Sequence, residues 1–212
     1  MKKGLCGGLV ISWLSMSSGA AYVIEQSPLT WKGLYGGIVL SYEWAFLKDA
    51  AKQLPTKANP KGMGYGLNLG LGTTLARALY LGGDLDLIIS NASWNAMPVS
   101  GTTGVFAKAR QIYTFQLTGQ LGIPLRAYML YGGVGGGWSK YTGSISIGST
   151  HTDLKGTTSG VAWNVGLKHQ IQGIMFDFRF TGQPGSYTIK TGSKIKVHAY
   201  GARLGILYVG NF

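Results

Sequence analysis

The sequence predicts an all-β chain: eight antiparallel strands in up-and-down order, closed into a barrel that crosses a membrane. Three observations carry this reading. First, apolar residues alternate with small or polar ones over long stretches. In the last of these, His198, Tyr200, Ala202, Leu204, Ile206 and Tyr208 share one face, and Val197, Ala199, Gly201, Arg203 and Gly205 share the other. A period of two is the signature of a strand with two different environments. Second, charged residues make up 12% of the 212 residues and 35 are glycine, against about 25% charged in an average soluble domain. No apolar run reaches the roughly 18 residues that a membrane helix requires. Third, long polar connections alternate with short ones along the chain, as in barrels with long outer loops and tight inner turns. A soluble β-sandwich would account for the glycine but not for the shortage of charge. In water the apolar last strand would be an exposed edge prone to aggregation; in a closed barrel it pairs with the first strand.

The N-terminus reads as an export signal. Met1-Lys2-Lys3 is a basic start, Leu5 to Met16 a short apolar segment, and Ser17 to Ala21 a small-residue cleavage region. Residues 1–20 are assigned to the signal, with cleavage after Ala20 or Ala21. Residues 21–30 form a short periplasmic lead, and residues 31–212 the barrel. The single cysteine, Cys6, lies within the signal and precedes most of its apolar segment, so lipid attachment is not expected. The mature chain then offers no disulfide and no thiolate metal site. Loss of Lys2 and Lys3 lowers the basic count from 19 to 17 against 7 acids, a net charge of +10. A basic exported protein suits anionic partners such as lipopolysaccharide phosphates, sulfated host glycans or heme propionates. Nucleic acid is not expected beyond an export signal.

The strands follow in order. The first runs from Trp31 to Phe46, with Leu34, Ile38, Leu40, Tyr42, Trp44 and Phe46 outward and Tyr35, Val39, Ser41 and Glu43 inward. A polar stretch with two prolines, Leu47 to Pro60, reads as a loop. The second strand, Lys61 to Thr74, turns Met63, Tyr65, Leu67, Leu69 and Leu71 outward and mostly glycine inward. The third, Ala78 to Ile89, puts Asp84 and Asp86 inside. Ser90 to Ala107 reads as the longest irregular segment. The fourth strand, Lys108 to Gly122, places Arg110, Thr114, Gln116, Thr118 and Gln120 opposite Tyr113, Phe115, Leu117 and Leu121. The fifth spans Arg126 to Tyr141, followed by a polar loop from Ser144 to Thr158. The sixth, Ser159 to Ile171, joins the seventh, Ile174 to Gly182, through a tight Gln172-Gly173 turn. A loop from Gln183 to Lys194 leads to the eighth strand, Lys196 to Phe212.

This alternation sends Glu43, Asp84, Asp86 and Asp177 inward together with Arg110, Lys168, Arg179 and Arg203. Buried charges are costly unless paired, and an eight-stranded barrel is only wide enough for side chains to fill. The set therefore reads as a packed polar plug, with a narrow ion-conducting lumen as the competing reading. No accessible cleft is expected, so the acids are not a glycosidase pair, and no catalytic residue is assigned. Gly132 to Lys140 is rich in glycine, but the lysine does not follow the last glycine and no helix opens after it, so it is not a phosphate loop. Aromatic residues gather near the strand ends: Trp44, Trp138, Trp163 and Tyr200 toward the outer side, and Trp31, Tyr80, Tyr128, Tyr208 and Phe212 toward the periplasm. Two such belts mark membrane interfaces.

The outer connections are basic, with Lys48, Lys52, Lys57, Lys61, Lys155, Lys190, Lys194 and Lys196. They are candidates for an anionic ligand. His151 and His198, with Tyr187 as an alternative, are candidate heme ligands. No HxxxH or HExxH spacing exists, so no metal site is assigned.

Several segments resemble a family of small porin-like outer-membrane barrels of Gram-negative bacteria, barrels of the OmpA/OmpX type that include major surface antigens and hemin-binding proteins. Trp31-Lys32-Gly33-Leu34-Tyr35-Gly36-Gly37 resembles its opening W-x-G-x-Y-x-G strand, and Gly82-Gly83-Asp84 its third strand. Ala127 to Gly135 is similar to a P-Y-x-x-G-G-x-G strand, Gly160 to Gly166 to G-x-x-x-x-x-G, and Asp177 to Thr181 to an E-Y-R-Y strand. Arg203 to Phe212 is similar to an R-x-G-x-x-Y-x-F ending. Lys168-His169 stand where the family carries an acid, and Asp177 replaces a glutamate. Phe212 and Tyr208 resemble the C-terminal signal read by the barrel assembly machinery. The resemblance implies an outer-membrane surface protein with a structural or adhesive role, or else a narrow porin or a hemin-binding protein; a monomer is expected.

Overall fold

The computed structural model describes residues 31–49, 60–75, 78–95, 105–147, 150–188 and 194–210. Among the described residues nine strands follow in chain order: β1 (Gly33–Asp49), β2 (Lys61–Leu75), β3 (Leu79–Ser90), the short β4 (Ser93–Asn95), β5 (Val105–Leu125), β6 (Tyr128–Ile147), β7 (Thr150–Ile171), β8 (Ile174–Thr188) and β9 (Lys194–Gly210). Each long strand pairs antiparallel with its neighbours. β9 returns to β1 in a ladder from Leu34↔Gly210 to Asp49↔Ile195. Eight long strands therefore form a closed ring, with β4 carrying the line of β3 onward beside β5. Closure satisfies the backbone of every strand, which a lipid environment demands. The predicted signal and lead, residues 1–20 and 21–30, lie outside the described residues.

The stagger sets the barrel's width. One rung runs from Tyr113 on β5 through Ile89, Tyr65, Leu40, Leu204, Phe178, Leu167 and Leu130, and returns to β5 at Ile123, ten residues further on. Eight strands with that shift tilt by roughly 40° and leave an interior that side chains can fill.

Alternation sorts the two faces as expected. Ile38, Leu40, Met63, Tyr65, Leu67, Leu69, Leu71, Leu117, Leu121, Val134, Phe178, Leu204 and Ile206 are exposed on the outside. An apolar surface of this extent belongs against lipid. Its outer border carries two groups of aromatics in contact: Tyr42 with Trp44, Trp44 with Tyr200 and Tyr200 with Trp163 in one, and Phe115 with Trp138 in the other. At the other end the connections are short. Gln172 and Gly173 take φ of 47° and 83°, the double left-handed turn that suits a two-residue hairpin. Arg126-Ala127 close the β5–β6 hairpin. This end faces the periplasm and the opposite end faces outward.

Four expectations are corrected. Ser144 to Thr158 is no loop: β6 and β7 pair continuously from Ser144↔Asp153 to Ile147↔Thr150, because the polar residues there still alternate across a hairpin. Gln183 to Thr188 continue β8 rather than opening a loop. Ser90 to Ala107 contains β4 and the start of β5. Trp31 and Tyr80 do not join the periplasmic belt: they are buried inside the barrel, with Trp31 Nε1 donating to the Arg126 carbonyl at 3.3 Å.

Candidate functional site: a charged interior and a basic outer surface

The interior is packed in three layers. The periplasmic layer is apolar and aromatic, built from Trp31, Tyr35, Tyr80, Met129, Tyr131, Met175, Leu207 and Val209. The central layer holds the charges. Arg179 Nη1 reaches Asp84 Oδ2 at 2.7 Å and Nη2 reaches Asp86 Oδ1 at 2.8 Å. Its Nε lies 3.4 Å from Asp177 Oδ2, while Tyr131 donates to Asp177 Oδ1 at 2.6 Å. Arg203 Nη1 bridges Asp86 Oδ2 at 3.1 Å and Gln116 Oε1 at 2.8 Å. Lys168 donates to the Tyr35 hydroxyl at 2.8 Å and to Gln120 Oε1 at 2.9 Å. Its ammonium also sits 4.4 Å and 4.6 Å from the Tyr35 and Tyr131 ring centres, inside an aromatic cage. Tyr35 and Gln120 both donate to Asp84. Each ion thus meets an opposite charge and at least one hydrogen-bonding side chain, the condition under which buried charge is tolerated, although Asp177 Oδ2 and Arg203 Nε make no hydrogen bond themselves among the described residues.

The outer layer is uncharged except for Glu43. Gln111 donates to Glu43 Oε2 at 2.7 Å, and Arg203 Nη2 lies 3.5 Å from Glu43 Oε1. Thr114 and Ser139 share a hydrogen bond at 3.0 Å, and Gln116 and Ser139 converge on Gln183 Oε1. Seven of the eight charges assigned to the interior are therefore buried there: Glu43, Asp84, Asp86, Lys168, Asp177, Arg179 and Arg203.

Arg110 is the exception. It is exposed, and its Nη2 donates to Asn91 Oδ1 at 2.7 Å. Gln111 pairs with Tyr141 and Tyr113 with Lys140, so Ile112 is an unpaired bulge. One extra residue in a strand reverses the parity of everything before it. Gln111 turns inward in place of Arg110, and Arg110 turns outward. Sequence alternation missed Gln111 as an interior residue for this reason. The glutamines and asparagines of the network, Asn68, Gln120 and Asn164, were legible as inward positions but not as partners. Among the described residues no group of His, Cys, Asp and Glu could hold a metal ion.

The heme candidates are not brought together. Ser159 stands on the rung of Ser186 and Lys196, and His198 lies two residues to the periplasmic side of Lys196. His151 lies eight residues to the outer side of Ser159, opposite Ser146. Ten residues of strand, roughly 33 Å, separate the two levels. Tyr187 pairs with Ile195. His169, outside the ligand set, stacks on Tyr128 at 4.2 Å with its Nδ1 3.1 Å from the Ala127 carbonyl.

Of the basic outer residues, Lys61, Lys155 and Lys196 are exposed. Lys48 and Lys196 face each other across the β1–β9 ladder, and Lys194 pairs with Thr188. Lys52, Lys57 and Lys190 lie outside the described residues, as does Phe212. Tyr208 is 71% exposed on the outward face of β9.

No family model and no curated protein sequence matches the chain. Among solved structures it is similar to Ail, the attachment invasion locus protein of Yersinia pestis, at 14% identity over 84% of this chain and 99% of that one, with a TM-score of 0.43. It is also similar to the Neisserial surface protein A, at 13% identity over 81% and 96%, TM-score 0.39. The N-terminal barrel domain of OprF from Pseudomonas aeruginosa matches at 14% identity over 79% and 98%, TM-score 0.31. Strands cross a bilayer only where no edge is left open, and this ladder leaves none; its outward face is apolar along β1, β2, β5 and β9, which suits lipid and not water. The chain is an integral β-barrel of the outer membrane.

Proposed function

We propose that this barrel is a non-conducting surface-interaction protein whose basic outer rim binds anionic polymers, either the lipopolysaccharide saccharide or sulfated host glycans. The observation that carries the reading is the filled interior: ion pairs span the central layer and amides and hydroxyls fill the outer one. The chemistry available to partners is then at the outer surface. Around β9, β1 and β2, Lys196 stands opposite Lys48, and Lys61 pairs with Trp44 at the head of the β1–β2 connection that carries Lys52 and Lys57. At the periplasmic end the exposed cations among the described residues are Lys32 and Arg126. The charge is thus concentrated on the outer side, where it attracts anions over about 8 Å at physiological ionic strength.

The test uses the refolded chain in phosphatidylcholine nanodiscs and a heparin-derived octasaccharide. Binding should weaken several-fold in a Lys57→Gln, Lys61→Gln, Lys196→Gln triple variant, and should fall as salt rises. Unchanged affinity in the triple variant, or binding indifferent to salt, overturns the reading. The narrow-pore and heme alternatives lack a comparable supporting observation.

A further inference from the structure

The bulge at Ile112 does more than correct a residue's direction. It delivers Arg110 to the outer flank of the barrel, beside other cations. Arg110 on β5, Thr142 on β6 and Lys155 on β7 share one rung. Lys140 and Tyr113 share the next outward-facing rung toward the membrane, two ladder positions in, with the Lys140 Nζ 6.0 Å from that ring's centre. Lys108 stands one rung pair further out, opposite Ser144, which in turn faces Asp153. Lys108, Arg110, Lys140 and Lys155 are all exposed. The Asn91 side chain holds the Arg110 guanidinium in place.

Depth decides what this patch meets. Lys140 lies two residues beyond Trp138, on the rung of Tyr113; Arg110, on the rung of Thr142, lies four ladder positions beyond the Phe115–Trp138 pair, on the same outward face. With a rise of ~3.3 Å per residue and a tilt of roughly 40°, that is about 5–10 Å outside the belt. Aromatic belts sit at the headgroup level, and cations just beyond them meet lipid phosphates. Below the belt the same flank continues as bare apolar surface, with Leu117, Leu121 and Val134 exposed. A ligand that covers both zones carries phosphate at one end and acyl chains at the other. The cations span three strands, about 10 Å, which is room for more than one phosphate.

We propose that the outer flank of β5, β6 and β7 binds a diphosphorylated glycolipid of the outer leaflet, with Arg110 and Lys140 as its central phosphate contacts. Lys108 and Lys155 guard the outer margin, and Tyr113, Phe115 and Trp138 pack against the first methylenes. This site lies on a different face from the glycan-binding rim around β9, β1 and β2, so either can fail alone.

The experiment titrates the full chain in dodecylmaltoside micelles with diphosphoryl lipid A, monophosphoryl lipid A and a fully dephosphorylated lipid A, reading bound lipid by native mass spectrometry. Affinity should fall in that order. Two neutralised cations near a lipid surface correspond to about a thirtyfold loss, so Arg110→Gln with Lys140→Gln should lose diphosphoryl lipid A by that factor. Lys32→Gln at the periplasmic end should leave binding unchanged. The heparin octasaccharide should bind the Arg110→Gln, Lys140→Gln variant as it binds the parent. Both substitutions lie on exposed side chains, and retention of the heat-modifiable gel shift confirms folding; Arg110→Lys, which keeps the charge, should retain most of the affinity. Equal binding of phosphorylated and phosphate-free lipid, unchanged affinity in the double variant, or an equal loss in Lys32→Gln each overturns the proposal.

Discussion

Arg179 and Asp84 meet at 2.7 Å across the full width of the barrel. β8 and β3 are four steps apart in a ring of eight long strands, the largest separation the ring allows. The same guanidinium takes Asp86 at 2.8 Å, so one side chain ties opposite walls together in two places. A strut of this kind fixes register as well as filling space, because a slip of either strand would carry the charge to the lipid face.

Removing the strut takes a cation away from three buried carboxylates, Asp84, Asp86 and Asp177. Arg179→Met should therefore destabilise the barrel by about 3–5 kcal/mol. Arg203→Met should cost less, since Asp86 keeps Arg179 and Glu43 keeps its hydrogen bond from Gln111. Urea unfolding in phosphatidylcholine vesicles, followed by tryptophan fluorescence, measures both. Equal stability of Arg179→Met and the parent would show that the pairs contribute nothing net.

The filled interior predicts electrical silence. In planar bilayers the refolded chain should give no stable conductance steps. Large steps of defined size, altered by substitutions at Asp86 or Arg203, would show a continuous lumen and sink the plug reading.

Glycine is required where aromatic side chains cross the lumen. A Cβ at Gly70 would collide with the Tyr35 ring and the Asp84 carboxylate. Gly70→Val should push Tyr35 off Asp84 and cost about 1–3 kcal/mol. The corresponding change at Gly83, whose Cβ would meet only the Thr118 carbonyl at 3.6 Å, should cost far less. Comparing the two in the same vesicle assay separates crowding from a general effect of replacing glycine in a strand.

The strand register predicts the outcome of a heme titration. One iron cannot be held by both His151 and His198, which lie roughly 33 Å apart in level along the strands. The two histidines should therefore act independently: any Soret change in the His151→Ala, His198→Ala double variant should equal the sum of the changes in the two single variants. A change in the double variant that departs from that sum would demand a hairpin arrangement different from the one described.

Alternation made much of this molecule legible in the sequence. Period two assigns each strand's faces, and closure follows from long apolar strands that cannot leave an edge in lipid. Seven of the eight interior charges, the Gln172-Gly173 turn and the outer aromatic groups were all readable in that way. These features depend only on a residue's parity and on the character of its neighbours in the chain. The tertiary structure decided the rest. Whether Ser144 to Thr158 forms a loop or a hairpin depends on cross-strand pairing, since polar residues alternate as well as apolar ones. Arg110 reads as an interior residue until a single unpaired residue at Ile112 reverses its side of the sheet, and a bulge leaves no mark in composition. Trp31 and Tyr80 read as belt residues until the width of the barrel admits their rings. Which acid each cation meets depends on the ten-residue stagger around the ring, which is a property of eight strands taken together and of none of them alone.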